Sequence, residues 1–114
     1  MFDFEKLTVY KKSKVFNKKV NYLLTENTFN RTVNDQLRRA SFSVMLNIAE
    51  GSGRRTNKAK RNFFVISRGS AFECVAIFDF LRDMNQLPED EYSSFYRDLE
   101  ELSKLLFSMI RNLS

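Results

Sequence analysis

The residues best suited to chemistry in this chain surround a glycine-rich turn. The segment 51–56, GSGRRT, leads into a predicted helix, and the free N–H groups and dipole at a helix start attract anions. Five basic side chains cluster there, at Arg54, Arg55, Lys58, Lys60 and Arg61. The glycine spacing is not that of a Walker loop or a dinucleotide fingerprint. The segment is therefore either a phosphate-binding site or an ordinary helix–helix turn with a polar surface.

The other reactive side chains form no catalytic set. The chain has no His and one Cys, which removes the commonest general base and excludes an internal disulfide or a cysteine zinc site. Cys74 falls on an apolar stripe, which indicates a packed, unreactive thiol. Asp79 and Asp83 are one turn apart but lie beside Arg82, so we discount a metal site. We expect no enzyme activity, no cofactor and no metal.

Two acids, Glu50 and Glu73, border apolar stripes and therefore need cationic partners. We predict structural ion pairs with Arg38, Arg39 or Arg68. General acid or base work by the two carboxylates is the alternative, but no fixed spacing supports it.

The net charge of +5 is unevenly distributed along the sequence. Residues 1–68 contain 15 Lys and Arg against 5 Asp and Glu, whereas residues 69–114 contain 4 against 9. This asymmetry suits binding to RNA or DNA, or head-to-tail contact between copies of the chain. A merely solvated charged surface is the other interpretation.

The length of 114 residues, with 43% hydrophobic residues, three Gly and one Pro, predicts one globular domain spanning residues 1–114. Collagen-like, disordered and disulfide-scaffold classes are excluded. No apolar run approaches the roughly 18 residues of a membrane span, and residues 1–14 lack an apolar signal core. We expect a cytoplasmic protein without a membrane partner.

Helical periodicity predicts an all-α fold of four helices. The first spans about 8–26, and a loop follows to residue 31. Thr32, with Asp35 three residues later, is the predicted N-cap of the second helix. That helix is expected to end near Glu50, because Gly51 and Gly53 can adopt the left-handed conformation.

The third helix is predicted to begin at the N-cap Thr56 and to reach about Leu87. Pro88 then opens the fourth helix, whose first turn is acidic and so favours the helix dipole. The small residues around Gly69 are expected to let another helix approach closely.

The apolar faces differ between the outer and the central helices. The first helix has one apolar face (Val9, Phe16, Val20, Leu23) opposite Lys11, Lys14 and Lys18, and the fourth has one stripe (Phe95, Leu99, Leu102, Leu106, Met109, Leu113). The second helix has two apolar stripes, an inner one (Val33, Leu37, Ala40, Val44, Ile48) and an outer one (Phe42, Met45, Leu46, Ala49). The third helix also has an inner stripe (Phe63, Ser70, Cys74, Ile77, Leu81) and an outer stripe (Val65, Phe72, Val75, Ala76, Phe80).

A small bundle cannot bury two faces of two helices, so we predict a homo-oligomer whose subunits meet at the outer stripes. The predicted interface comprises Arg38, Arg39, Phe42, Met45, Leu46, Phe72, Val75 and Phe80. At least one of Arg38 and Arg39 is expected to form a salt bridge across this boundary, and a second phosphate-binding site is the alternative role for this pair. A monomer with apolar helices is the alternative.

Several segments resemble a known family. They are FEKL (4–7), VY (9–10), Ser13, QLRRAS (36–41), NIAEGSGR (47–54), RGSA (68–71) and Glu73. The chain resembles the four-helix-bundle proteins encoded by intervening sequences in bacterial large-subunit ribosomal RNA genes. Many relatives have Pro in the first interhelical loop and in the second helix, where this chain has Asn30 and no Pro. The resemblance implies an antiparallel up-and-down four-helix bundle that assembles into a ring, commonly a pentamer. A related branch, the accessory proteins of diversity-generating retroelements, is similar to a basic barrel that binds nucleic acid and a reverse transcriptase.

These observations predict a non-enzymatic, homo-oligomeric protein that binds structured RNA or other nucleic acid without strong sequence preference. The predicted phosphate contacts are Arg54, Arg55, Lys58, Lys60, Arg61, Lys11, Lys14 and Lys18. The alternative is a scaffold that recruits a protein partner, such as a nucleic-acid-processing enzyme.

Overall fold

The computed structural model describes residues 2–113, which form four long helices after one short one. A 3₁₀ helix (Asp3–Lys6) precedes α1 (Thr8–Glu26), α2 (Arg31–Ser52), α3 (Asn57–Asp83) and α4 (Glu89–Asn112). No strand occurs within 2–113, so the all-α, four-helix prediction is confirmed over this range. No helix in the same range is long and apolar enough to cross a membrane.

The helices pack with α1 against α2 and α4, and with α3 against the same two neighbours. Hydrogen bonds join the neighbouring helices. Asn17 of α1 donates to the Ser41 carbonyl of α2 (2.8 Å), and Ser67 of α3 donates to the Val44 carbonyl (2.7 Å). Arg68 donates to the Ser103 carbonyl of α4 (3.2 Å). Because only four or five residues connect successive helices that pack on each other, each helix runs antiparallel to the preceding one, in an up-and-down order.

One hydrophobic core extends through all four helices. The predicted faces of α1 and α4 and the inner stripe of α2 are buried in it, although Val33, Met109 and Leu113 are only half-buried. On α3 the prediction was partly wrong, since Phe63 and Ile77 are half-buried whereas Phe64 and Phe78 lie in the core. The face that α3 buries is thus rotated from the predicted one, because α3 packs on both α2 and α4.

The start of α2 corrects the predicted Thr32 cap. Asn30 is the N-cap, and its side-chain oxygen accepts a hydrogen bond from the Val33 N–H (2.8 Å), which satisfies one of the free donors at the helix start. The Asp35 carboxylate does not cap the helix, and its Oδ2 lies 3.9 Å from Nε of Arg31, one turn earlier. The predicted cap of α3 is confirmed, since Thr56 accepts from the Ala59 N–H (3.1 Å).

The ends of α2 and α3 also differ from prediction. α2 continues through Gly51 to Ser52, and Gly53 caps it at φ −86° rather than in the left-handed region. α3 ends at Asp83 and not near Leu87, because Asn85 takes a left-handed φ of 59°. The Gln86 N–H then bonds to the Leu81 carbonyl (2.9 Å), which closes the helix end.

Of the two helical glycines, Gly51 is the one at a close contact between α2 and α3, and Gly69 is not. A Cβ on Gly51 would lie 2.8 Å from the Phe64 ring and 2.9 Å from the Phe63 Cβ, whereas nothing lies within 4 Å of a Cβ on Gly69. The predicted close helix contact at Gly69 is therefore wrong within one subunit. Its buried neighbours Ser67 and Ser70 do face α2, through Val44 and Ser43.

Candidate nucleic-acid interface

The α2–α3 turn brings the predicted basic cluster to one end of the bundle. Arg55 and Lys58 are exposed, and neither forms an ion pair or side-chain hydrogen bond within residues 2–113. They flank the capped start of α3, where N–H groups and the dipole favour an anion. Arg61, one turn further along α3, is half-buried.

Two members of the cluster stabilise the turn itself. Arg54 pairs with Glu50 (2.9 Å), and its guanidinium lies 4.5 Å from the centroid of the Phe63 ring. Lys60 donates to the Ser52 carbonyl at the end of α2 (3.1 Å), where a cation meets the negative end of the helix dipole. These two side chains are less available to an external phosphate than Arg55 and Lys58.

The Glu50–Arg54 pair corrects the predicted partners of the two acids. Glu50 pairs with Arg54 one turn away and not with Arg38, Arg39 or Arg68. Glu73 is exposed and forms no ion pair among the described side chains. Since neither carboxylate is buried, neither needed the partner that the apolar pattern suggested.

The predicted lysines of α1 are exposed along its outer face. Lys11 and Lys14 lie in the first half of α1, which packs beside the second half of α2, so they share the bundle end that holds the α2–α3 turn. Lys18 lies about two turns beyond Lys11, toward the other end. Lys11 and Lys14 therefore lie in the same half of the bundle as Arg55 and Lys58, without forming one cluster with them, and Lys18 lies just beyond that half.

Charge separates along the long axis of the bundle, which extends 44 Å. The half formed by residues 2–17, 42–70 and 101–113 carries twelve Lys and Arg against four Asp and Glu. The other half, residues 18–41 and 71–100, carries seven against ten. We call the first half the basic end and the second the acidic end. The charge asymmetry between segments is visible in the sequence, but only the antiparallel packing shows that it becomes a difference between the two ends of the bundle.

At the acidic end, one arginine contacts several carboxylates. Arg82 pairs with Asp79 (2.9 Å) and lies near Asp83 (3.8 Å) and Glu89 (3.7 Å), with its guanidinium 4.0 Å from the Tyr92 ring centroid. Asp79 and Asp83 thus contact an arginine. No group of three or more His, Cys, Asp or Glu suited to a metal ion occurs within 2–113.

Cys74 is fully buried and unpaired. Burial, followed by the nearby charge of Glu73, raises the pKa of the thiol from 9.0 to about 12. Because the thiolate is the reactive form, the side chain stays an inert part of the core near neutral pH, as the sequence pattern predicted.

The predicted oligomer residues lie on the outside of α2 and α3. Phe42, Leu46, Phe72 and Phe80 are each about half exposed, Met45 and Val75 are half-buried, and Arg38 and Arg39 are exposed. Phe107 of α4 is also half exposed and was not predicted. It extends the apolar surface of α3 onto α4. It was missed because it is adjacent in sequence to Leu106 of the predicted α4 stripe and belongs to no apolar stripe of its own.

Together these features define a class: an all-helical, four-helix protein with a basic end and half-exposed apolar side chains on α2, α3 and α4. Residues 5–108 match the family model of the 23S rRNA-intervening sequence protein, and the chain belongs to that family. No curated protein matches the chain.

A solved structure has the same fold. It is a protein of unknown function from the S23 ribosomal protein family of Bacteroides thetaiotaomicron, 24% identical in sequence, with a TM-score of 0.86 over 90% of this chain and 98% of that chain. Since the identity is low, this similarity concerns the fold alone.

Proposed function

We propose that this chain is a non-enzymatic, homo-oligomeric protein that binds structured RNA or other nucleic acid through its basic end, without strong sequence preference. The observation that carries the proposal is the gathering of twelve cationic side chains at one end, with Arg55 and Lys58 exposed and unpaired. Such a patch attracts a polyanion by neutralising phosphates and releasing counterions.

The exposed side chains argue for contacts to phosphates rather than to bases. A cationic patch without aligned hydrogen-bond acceptors offers little base readout. Stacking on bases would need free aromatic faces beside the cations. Phe63 at the turn is already covered on one side by Arg54.

The exposed apolar surface supports the homo-oligomeric part of the proposal. Phe42 and Leu46 on α2 are each about half exposed, and so are Phe72 on α3 and Phe107 on α4, which line one cavity together. Apolar surface of this kind, when contiguous, marks an interaction site.

The test is the reversal of Arg55 and Lys58, as Arg55→Glu with Lys58→Glu, read by titration of a structured RNA at several salt concentrations. Loss of two phosphate contacts should weaken binding at least tenfold and reduce the salt slope by about 1.4 to 1.8. Arg31→Glu with Arg97→Glu is the matched control, since it changes the net charge equally at the acidic end. Undetectable binding of the parent chain at moderate salt, or equal losses in both double variants, would refute the proposal.

A second candidate is a scaffold that recruits a protein partner. Exposed Phe80 and Met84, close to the acidic end, favour it because they lie away from the basic cluster. Met84→Ser, which leaves the predicted oligomer residue Phe80 in place, should then weaken capture of a nucleic-acid-processing enzyme and leave RNA affinity unchanged. Loss of RNA binding in this variant would count against the scaffold function.

A further inference from the structure

The 3₁₀ helix Asp3–Lys6 and the last turns of α2 form the two sides of an open cleft at the basic end of the bundle. The cleft has a volume of about 780 Å³, within the range of about 300 to 1,000 Å³ that small-molecule sites occupy. Its lining includes Phe2 and Asp3 on one side, and Leu46, Asn47 and Arg54 on the other. The cleft thus combines apolar surface, hydrogen-bonding groups and a cation.

Phe2 gives the cleft an aromatic surface that is open to a ligand. Phe2 is 71% exposed, and the centroid of the neighbouring Phe4 ring lies 6.0 Å from that of its own ring. Phe4 in turn packs edge-on against Tyr10 of α1, at 4.7 Å between centroids. The Phe2 carbonyl accepts a hydrogen bond from the Glu5 N–H (3.1 Å). The aromatic side of the cleft is therefore held to the bundle, while most of the Phe2 ring stays uncovered.

Two hydrogen-bond acceptors in the cleft have no donor within residues 2–113. The amide nitrogen of Asn47 donates to the carbonyl and to the hydroxyl of Ser43 (2.9 and 3.0 Å), which orients the amide and leaves its Oδ1 unbonded. Asp3 is exposed, and its carboxylate forms no ion pair or hydrogen bond in the same range. Since an ionised carboxylate only accepts hydrogen bonds, a ligand of this cleft must supply N–H or O–H donors.

We propose that the cleft holds one unpaired nucleobase of the bound nucleic acid, stacked on Phe2 and donating from its exocyclic amino group to the Asp3 carboxylate. This inference rests on the nucleic-acid part of the proposed function and adds the site and the class of base. Unpaired bases are the parts of RNA that proteins stack on aromatic rings and bond at their edges. Because three of the four RNA bases carry an amino group, the contact gives little sequence preference.

The surroundings of the cleft favour a base attached to phosphate over other donors. Arg54 lines the cleft, and the Cα of the exposed, unpaired Arg55 lies about 3.8 Å further along the backbone. An ammonium ligand would also donate to Asp3, but this half of the bundle carries twelve Lys and Arg against four Asp and Glu, which repels a cation. A neutral base avoids that repulsion, and the same charges attract its phosphate.

The stacking contact is tested with a hairpin RNA whose loop carries one guanosine among uridines, beside a fully paired duplex of the same stem. Phe2→Ala should weaken hairpin binding at least about fivefold and leave duplex affinity unchanged, because the duplex has no unpaired base. The salt slope should stay constant, since no charge is removed. Tyr22→Ala is the matched control, because Tyr22 is 67% exposed on α1 in the acidic half, and it should change neither affinity.

The hydrogen bond is tested by replacing the loop guanosine with inosine, which lacks only the amino group. This change should weaken binding to the parent chain about tenfold, as expected for a hydrogen bond to a charged group. Asp3→Ala should abolish the difference between the two hairpins. Glu5→Ala, which removes the same charge from the same short helix outside the cleft, should preserve it.

The outcomes separate this inference from the proposed function. A parent chain that binds neither RNA refutes both. A parent chain that binds both RNAs while Phe2→Ala leaves hairpin affinity unchanged, or while Asp3→Ala keeps the guanosine–inosine difference, overturns the inference alone. A lower sedimentation mass of Phe2→Ala would also overturn it, by assigning the cleft to self-association. Guanosine monophosphate should displace the hairpin only at millimolar concentration, and displacement at micromolar concentration would make a free nucleotide the ligand instead.

Discussion

Replacing Gly51 by alanine tests whether the α2–α3 contact depends on the missing side chain. The added Cβ would lie 2.8 Å from one atom of the Phe64 ring and 2.9 Å from the Phe63 Cβ, whereas carbon atoms pack best at about 3.5 to 4.0 Å. Phe64 is 3% exposed, so its ring has little room to turn away. The Phe63 Cβ is fixed to the backbone, so α3 itself must move.

The expected magnitude is the difference between two opposing effects. Overpacking a tight core contact costs about 1 to 3 kcal/mol. The same substitution regains about 1 kcal/mol, because alanine is the better helix former. We therefore expect Gly51→Ala to lower the free energy of unfolding by up to about 2 kcal/mol, with a fall in Tm of up to about 8 °C.

Gly53→Ala is the matched control, two residues away. Its Cβ would meet only the Glu50 carbonyl at 3.7 Å and the Ala49 carbonyl at 4.0 Å, and its φ of −86° is open to alanine. Gly53→Ala should raise the free energy of unfolding by about 0.4 to 1 kcal/mol, because alanine lowers the conformational entropy of the unfolded chain. Urea denaturation at one fixed protein concentration measures both variants. If Gly51→Ala is as stable as Gly53→Ala, close packing at Gly51 is not what holds α2 against α3.

Two other predictions concern the core thiol and a helix cap. Cys74 should resist alkylation by iodoacetamide at pH 8 and react fully in denaturant. Burial raises the pKa of this thiol from 9.0 to about 12. The contribution of the protonated thiol to the free energy of unfolding is therefore complete below pH 9 and is lost as the pH rises toward 12. A Cys74→Ala variant that loses as much stability as the parent chain over this pH range would contradict this. Asn30→Ala should cost about 1 kcal/mol in urea denaturation, whereas Thr32→Ala, at the position first predicted as the cap, should change stability little.

The sequence predicted those parts of the fold that local patterns determine. The start of α3 at Thr56 and the acidic first turn after Pro88 each follow from one or two residues. Asn30 was missed because two neighbouring polar residues, Asn30 and Thr32, can both cap a helix. Asn85 was missed because the apolar periodicity continues to the buried Leu87, although that residue follows the end of α3.

The two glycines show what periodicity cannot resolve. Both Gly51 and Gly69 lie inside helices, and a pattern of small residues indicates close packing without saying which residue touches what. Only the arrangement of α2 against α3 places Gly51 on Phe64 and leaves Gly69 open. In the same way, the basic residues were recognisable in the sequence. Which of them bond within the turn (Arg54, Lys60) and which stay exposed (Arg55, Lys58) depends on the geometry of the turn.

The two parts of the proposed function, self-association and nucleic-acid binding, are coupled by electrostatics. An assembly that brought the basic ends of several copies together would place like charges near one another, and these repel over a Debye length of about 8 Å at physiological ionic strength. A polyanion bound to those basic ends would relieve the repulsion between neighbouring subunits. Binding and assembly would then strengthen each other by the same free energy, since linkage is reciprocal. RNA added to the chain should therefore raise its sedimentation mass at concentrations where the chain alone dissociates, and an unchanged mass would refute the coupling.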